Sequence, residues 1–298
     1  MEGLSRINAA LSTTTIWYMH AGQRLATLAS HFKTARKLNQ QGIHLMATEG
    51  AVPRWQRVID EALQGDQNAN VYQYATLESN SVLGGTSPRV RTVVHRAFLT
   101  PRSPAHPILL TTTDVRTSKA TQLAENTHVE LAWLLPKAQA QIRILGNAYI
   151  HPSPDFLLNG ADSISGEEKR TIENAVAKLQ SAFPAKELGG EGFDWEKERI
   201  ERFDAAGGHM RASWARPVPG SRLIDPGDAK ESPETLPKSD ETGDKKELVA
   251  TALKNFALVI IDPLEVDYVE VGVMPNRRTR FFRESAGEGG WKEEALVP

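Results

Sequence analysis

The chain has 298 residues, 40% hydrophobic and 24% charged, with a net charge of −2 and no cysteine. That composition suits a globular chain with a sizeable core, and the near-neutral charge offers no general attraction to nucleic acid or anionic lipid. The missing cysteine excludes disulfides, thiolate catalysis and cysteine-bound metals. No apolar run approaches the roughly 18 residues of a membrane helix, so a soluble, cytoplasmic protein is expected.

Residues 1–48 differ from the rest. No acid lies between Glu2 and Glu49, while Arg6, Arg24, Lys33, Arg36 and Lys37 stand among many Ser and Thr. This composition fits a mitochondrial transit peptide; the plainer reading, a disordered N-terminal extension, is preferred. Residues 49–298 are then expected to form one domain.

Residues 53–65 read as the first helix, because Trp55, Val58, Ile59, Ala62 and Leu63 recur at helical spacing between Pro53 and Gly65. Strands follow at 71–77 and, after the turn residues Gly84, Gly85, Ser87 and Pro88, at 90–99. A Pro-rich loop at 101–107 precedes a third strand at 108–113. Residues 118–126 read as a short helix capped by Thr117. Strands at 128–135 and 140–151 follow so closely that antiparallel pairing is expected rather than βαβ units. An amphipathic helix is expected at 167–183 and a shorter one at 195–203. Residues 226–247, dense in Pro, Gly, Ser, Lys and Glu with a single Leu, predict a flexible insertion. Two last strands are expected at 256–261 and 267–273.

Three stretches could carry chemistry. In the strand Arg91-Thr92-Val93-Val94-His95-Arg96, alternation puts Arg91, Val93 and His95 on one face and Thr92, Val94 and Arg96 on the other. A cation near each end could bracket an anion, although charged strand ends are commonly just solvated. In Thr111-Thr112-Thr113-Asp114-Val115-Arg116-Thr117-Ser118-Lys119, a strand end turns into a helix start. Hydroxyls, free backbone N–H groups and a Lys at such a place suit a phosphate; ordinary capping is the plainer use. Gln141 and Arg143 share a strand face, where a Gln offers both donor and acceptor to a heterocycle.

Taken in order, residues 91–99, 111–119, 129–150 and 291–298 resemble the pyridoxamine 5'-phosphate oxidase-like FMN-binding split-barrel family. The likeness is nearest to a sub-family whose members mostly lack an assigned reaction. The recurring patterns there are R-x-V-V-x-R, T-T-D-x-R-(S/T)-x-K and Q-x-R-x-x-G, followed by a terminal W-x-x-x-x-L-x-P. The resemblance implies a β-rich α+β fold, an antiparallel six-stranded split β-barrel with flanking helices. It further implies a homodimer with FMN at its interface. By position, Arg91, Thr92, Val93 and Val94 would run along the flavin, with Arg91 on its phosphate. Arg96 stands where the oxidases carry a Lys, Thr112 and Thr113 match flavin contacts, and Ser118 and Lys119 match an Arg-Lys pair on the phosphate. Gln141 would reach the cofactor of the neighbouring subunit, and Arg280 matches a late flavin-contacting Arg.

The chain departs from the oxidases in three places. Gly272 stands where they have a flavin-stacking Trp. Ser118 replaces an Arg, for which Arg116 could compensate. The Tyr, Arg and Ser that hold their substrate phosphate have no counterpart between Phe156 and Phe203. No residue is therefore named as catalytic.

Three functions are weighed. The first is a flavin-dependent oxidoreductase acting on an unknown small molecule, and the second a non-catalytic flavin or small-ligand binder. A metal or hydrolytic site is the third and carries little weight, since His95, His106, His128 and His151 are scattered. Gly189-Gly190-Glu191-Gly192 lacks the strand–helix context of a dinucleotide fingerprint. Trp214 could cover the flavin, although core packing is the commoner role of a Trp.

Overall fold

The computed structural model describes residues 52–79, 82–101, 106–160, 164–184, 188, 193–222, 232–283 and 290–298. The extension at 1–48 and the Gly-rich stretch 189–192 lie outside them. No described helix is long and apolar enough to cross a membrane.

Helix α1 (Arg54–Gly65) follows Pro53 at its N-cap and buries Trp55 and Ile59. One antiparallel sheet follows, with β1 (Val71–Glu78), β2 (Ser87–Val94), β3 (Ala97–Leu99), β4 (Ile108–Asp114), β5 (His128–Leu135), β6 (Ala140–His151), β7 (Phe256–Glu270), β8 (Arg277–Arg283) and β9 (Trp291–Leu296). The strand order is β2-β1-β5-β6-β7-β4-β3, with β8 on β7 and β9 on β8.

The strand expected at 90–99 is two strands, and its first half begins at Ser87, inside the expected turn. Residues 87–94 pair with β1 and 97–99 with β4. Between them the chain changes partners: the His95 amide donates to Asn70 O (2.7 Å) and the Arg96 amide to Leu110 O (2.8 Å). The bend joins the two ends of the strand order and closes the sheet into a barrel. Counting β2 and β3 as halves of one bent strand, the ring has the six strands expected, and β8 and β9 extend it.

The two last strands expected at 256–261 and 267–273 are one strand, β7. Its first half pairs with β4, its second with β8, and β6 runs along its other edge. Pro263, which has no N–H for a ladder, is absorbed where the β6–β7 register shifts at Leu145/Gly146. A Cβ at Gly146 would collide with the Asp262 carbonyl oxygen. The glycine of the Q-x-R-x-x-G pattern is thus fixed by backbone packing.

The barrel interior holds Tyr72, Tyr74, Trp133, Leu131, Ile142, Ile144 and Val266, closed at one end by Trp55 and Ile59 of α1. Strand β4 and the first half of β7 are buried on both faces, the pattern of a covered central strand. Their outer side is covered by α4 (Gly166–Ala182), α5 (Trp195–Ala205), α6 (Gly208–Ser213) and α7 (Lys246–Asn255), through Leu179, Phe203, Ala212, Trp214 and Val249. A smaller cluster joins α2 (Ser118–Glu125) and α3 (Pro154–Asn159) to α4 through Ala120, Ala124, Phe156 and Ile172.

Of the insertion expected to be flexible at 226–247, residues 226–231 lie outside the described residues. The rest is packed. Leu236 is buried among Phe203, Trp214 and Val249. Ser239 donates through its amide and hydroxyl to Asp204 (both 2.7 Å). Arg211 Nε donates to Leu236 O (3.0 Å), and α7 begins at Lys246. Composition predicted disorder because the segment has one apolar anchor; that anchor is enough here, since charged and hydroxyl neighbours tie the backbone on either side of it.

Candidate functional site

Arg91 lies opposite Tyr74 in the β1–β2 ladder, on the face that continues into the barrel interior. Beyond the last apolar layer that interior turns polar. The Arg91 guanidinium donates to the Thr76 hydroxyl, to Arg89 O (2.7 Å) and to Gln122 Oε1 (2.9 Å). Thr76 Oγ1 also donates to Gln122 Oε1 (2.6 Å), and Gln122 Nε2 donates to Glu78 Oε1 (3.3 Å). Glu78 is taken up by Arg89, so Arg91 has neutral partners only.

Lys119, in the first turn of α2, comes from the other side. It has no hydrogen-bond or ion-pair partner among the described residues. Burial, with the Arg91 charge adding to it and Asp114 opposing, pulls its ammonium pKa down to about 8. Burial lowers the Arg91 pKa too. Neither cation forms an ion pair with a carboxylate among the described residues, although Asp114 acts on Lys119 and Glu78 on Arg91; cations and free amides at a helix start are the donors an anion takes. Ser118 is exposed at the start of this helix. Thr117, expected as its cap, makes no capping bond; its hydroxyl donates instead to Asp114 O (2.7 Å).

A second group lies along the bend after β2. Arg96 Nε donates to Thr112 Oγ1 (3.3 Å). Burial, opposed by Tyr72 and reinforced by Arg202 of α5, brings the Arg96 pKa down to about 10. Val94 O accepts from the Thr111 hydroxyl (2.9 Å). Val93 is buried in the barrel core, and Thr92 points outward, exposed. Thr113 is buried and turned onto its own loop, donating to Asp114 O (3.2 Å).

Gln141 and Arg280 form a third group, away from the other two within one chain. Gln141 on β6 is separated from β2 by β5 and β1. It is exposed and makes no side-chain hydrogen bond among the described residues. Arg280 on β8 pairs with Glu265 (2.6 Å) and reaches Glu294 (3.8 Å). Arg143 bonds Asp267, which also accepts from Arg278 (2.8 and 3.0 Å).

One expectation is corrected. Arg116 does not stand in for the missing Arg beside Lys119: its guanidinium is spent on Asp114 (2.6 and 3.0 Å) and on the carbonyls of Arg216 (3.0 Å) and Trp214 (3.3 Å). Trp214 takes the commoner of its two expected roles, core packing. It is buried against Phe256 (4.5 Å between centroids) and Phe203 (5.6 Å). The departure at Gly272 has a local cause, since a Cβ there would stand 2.9 Å from the Gln139 side chain.

Sequence reasoning missed Thr76, Gln122 and Arg202. Thr76 and Gln122 look like ordinary strand and helix residues; only the closeness of Glu78, Arg91 and Gln122 across three elements gives them a role.

Residues 52–152 match the family model described as pyridoxamine 5'-phosphate oxidase, FMN-binding domain. No curated protein matches the chain. Among solved structures, a pyridoxamine 5'-phosphate oxidase-related, FMN binding protein from Nostoc punctiforme is 24% identical, covering 83% of this chain and 99% of its own, with a TM-score of 0.53. PhzG from Burkholderia lata, solved with tetrahydrophenazine-1-carboxylic acid, is 15% identical over 86% of this chain and 97% of its own, with a TM-score of 0.43. The first likeness shows the fold.

Proposed function

We propose that the protein, whose residues 52–152 match the pyridoxamine 5'-phosphate oxidase FMN-binding domain model, is an FMN-dependent oxidoreductase acting on a small molecule, with the flavin held between two copies of the chain. The carrying observation is the Arg91–Lys119 pair. FMN bears a phosphate that is dianionic near neutral pH, and two part-buried cations with no carboxylate ion pair among the described residues fit it in charge and in donor count. Lys119 has no hydrogen-bond or ion-pair partner among the described residues, so its charge is left for a ligand.

In this reading Arg91, Lys119, Ser118 and the first amides of α2 hold the phosphate. The backbone of residues 91–94, with Thr112 and Thr113, lines the ring, and Arg96 stands at its far end. Arg96 gives that end a positive charge, which suits a substrate bearing an anionic group; Arg202 beside it is paired with Glu198 (2.6 Å). Gln141 and Arg280 serve the flavin of the partner subunit, which accounts for an exposed, unbonded Gln on a strand face. The bound flavin supplies the hydride chemistry; the chain supplies orientation and electrostatics.

The test is an absorbance and fluorescence titration of the purified protein with FMN. Arg91→Ala and Lys119→Ala are each expected to weaken binding by about 1.5–3 kcal/mol, the worth of a hydrogen bond to a charged group. Unchanged affinity in both would overturn the site. The second reading, a flavin binder without turnover, is favoured by the missing substrate-phosphate signature in the middle helices and by Gly272. Reduction of bound flavin by no candidate donor would move the conclusion there.

A further inference from the structure

The pair Asp114 and Arg116 lies in the turn that leads to Lys119, yet neither points a free group at the anion site. The pair is more than nine-tenths buried, with side-chain exposures of 5% and 8%. Arg116 holds both carboxylate oxygens of Asp114 in a fork, while its own amide also donates to Asp114 Oδ1 (2.9 Å). The remaining guanidinium donors reach across to the loop after α6, on Arg216 O and Trp214 O. Trp214 O also accepts from Asn255 Nδ2 (2.8 Å), and the Val115 amide donates to Asn255 O (2.8 Å). Arg216 in turn donates to Pro233 O (3.0 Å). The turn carrying Lys119 is thereby braced to a loop about a hundred residues later in the chain, whose Trp is locked into the helical core.

We propose that Arg116 is a positioning residue for the anion site: it braces the 114–119 turn against the Trp214–Arg216 loop, and so sets where Lys119 and the start of α2 stand relative to Arg91. This rests on the reading of Arg91 and Lys119 as the phosphate site. A planar fork is needed, because one group must satisfy a carboxylate and two carbonyls at once; an ammonium cannot do this.

FMN is titrated into the wild type, Arg116→Ala, Arg116→Lys, Lys119→Ala and the Arg116→Ala/Lys119→Ala double variant, each first checked for folding by circular dichroism. A loss of about tenfold is expected for Arg116→Ala, with no recovery in Arg116→Lys and no further loss in the double variant beyond that of Lys119→Ala. Additive losses, or full affinity in Arg116→Lys, would overturn the proposal. Where Arg116→Ala does not fold, Arg116→Lys, which keeps the charge and loses the fork, decides alone. A second readout needs no flavin: the titration of Lys119, followed by NMR in the unliganded protein. The midpoint is read in Arg116→Lys, which keeps a positive charge beside Asp114: it should move toward the ordinary lysine value, and an unmoved midpoint would overturn the brace. A wild type that binds no FMN would sink the cofactor reading, and the Lys119 midpoint would still decide this one.

Discussion

Lys119 makes the functional reading testable by pH. Its pKa in the folded chain is about 8, against an ordinary value of 10.5. Between those values the unfolded chain binds more protons than the folded one, so stability without ligand should rise as pH climbs from 8 toward 10.5. A phosphate beside the ammonium favours the protonated form and reverses the depression. FMN affinity should therefore hold up to about pH 8 and fall above it, and weaken again below about pH 6 as the phosphate loses its second charge. Isothermal titration across this range, in buffers of different ionisation enthalpy, should show proton uptake on binding near pH 9. A pH-independent affinity from 7 to 10 would mean that Lys119 does not meet the phosphate. Gly146 gives a second prediction at this scale. Gly146→Ala must push the Asp262 backbone away from β6 and should cost at least about 1–3 kcal/mol, as overpacking does, read by chemical denaturation.

At the scale of elements, alternation and turn residues located β1, β4, β5 and β6 almost to the residue. They failed where pairing is decided elsewhere in the chain. Nothing local marks the partner change at His95-Arg96, which follows from two backbone hydrogen bonds made to residues 70 and 110. Strand β8, Arg277–Arg283, has too many cations to read as a strand; in the fold Asp267 and Glu265 on β7 pair diagonally across the ladder with Arg278 and Arg280. Residues 232–247 looked like an insertion without anchors, and their packing predicts otherwise. Leu236→Ala should destabilise the protein by about 2–5 kcal/mol, the range for a buried Leu. A change below about 0.5 kcal/mol in a denaturation curve would mean that the segment is loose in solution.

For the whole molecule, the barrel brings three groups of cofactor candidates to different places. Arg91 with Lys119 and Arg96 with Thr112 lie along β2 and the following bend, while Gln141 and Arg280 stand across the sheet. In the function proposed above, a second copy placing its β6–β8 face against β2 would unite them. Sedimentation of the FMN-loaded protein should accordingly give a dimer, and Gln141→Ala should weaken FMN binding while leaving the thermal unfolding of the unliganded chain nearly unchanged. A monomer retaining flavin would refute the shared site.

The sequence by itself determined what is local: the apolar alternation of the barrel strands, the amphipathic faces of α1 and α4, and the order of the Arg91, Lys119 and Gln141 motifs that carry the family likeness. Each depends on side-chain spacing within one segment, where the period of a strand or helix is written directly. The tertiary structure decided what is non-local. It joined residues 256–270 into one strand over a proline, tied down the polar segment from 232 onward, and gave Arg116 to Asp114 and the Trp214–Arg216 loop rather than to an anion. It also left the Lys119 ammonium, under the influence of Arg91, without a hydrogen-bond or ion-pair partner among the described residues. Those outcomes depend on which backbone groups and charges are left unpaired once the sheet has closed, and no window along the chain contains both partners.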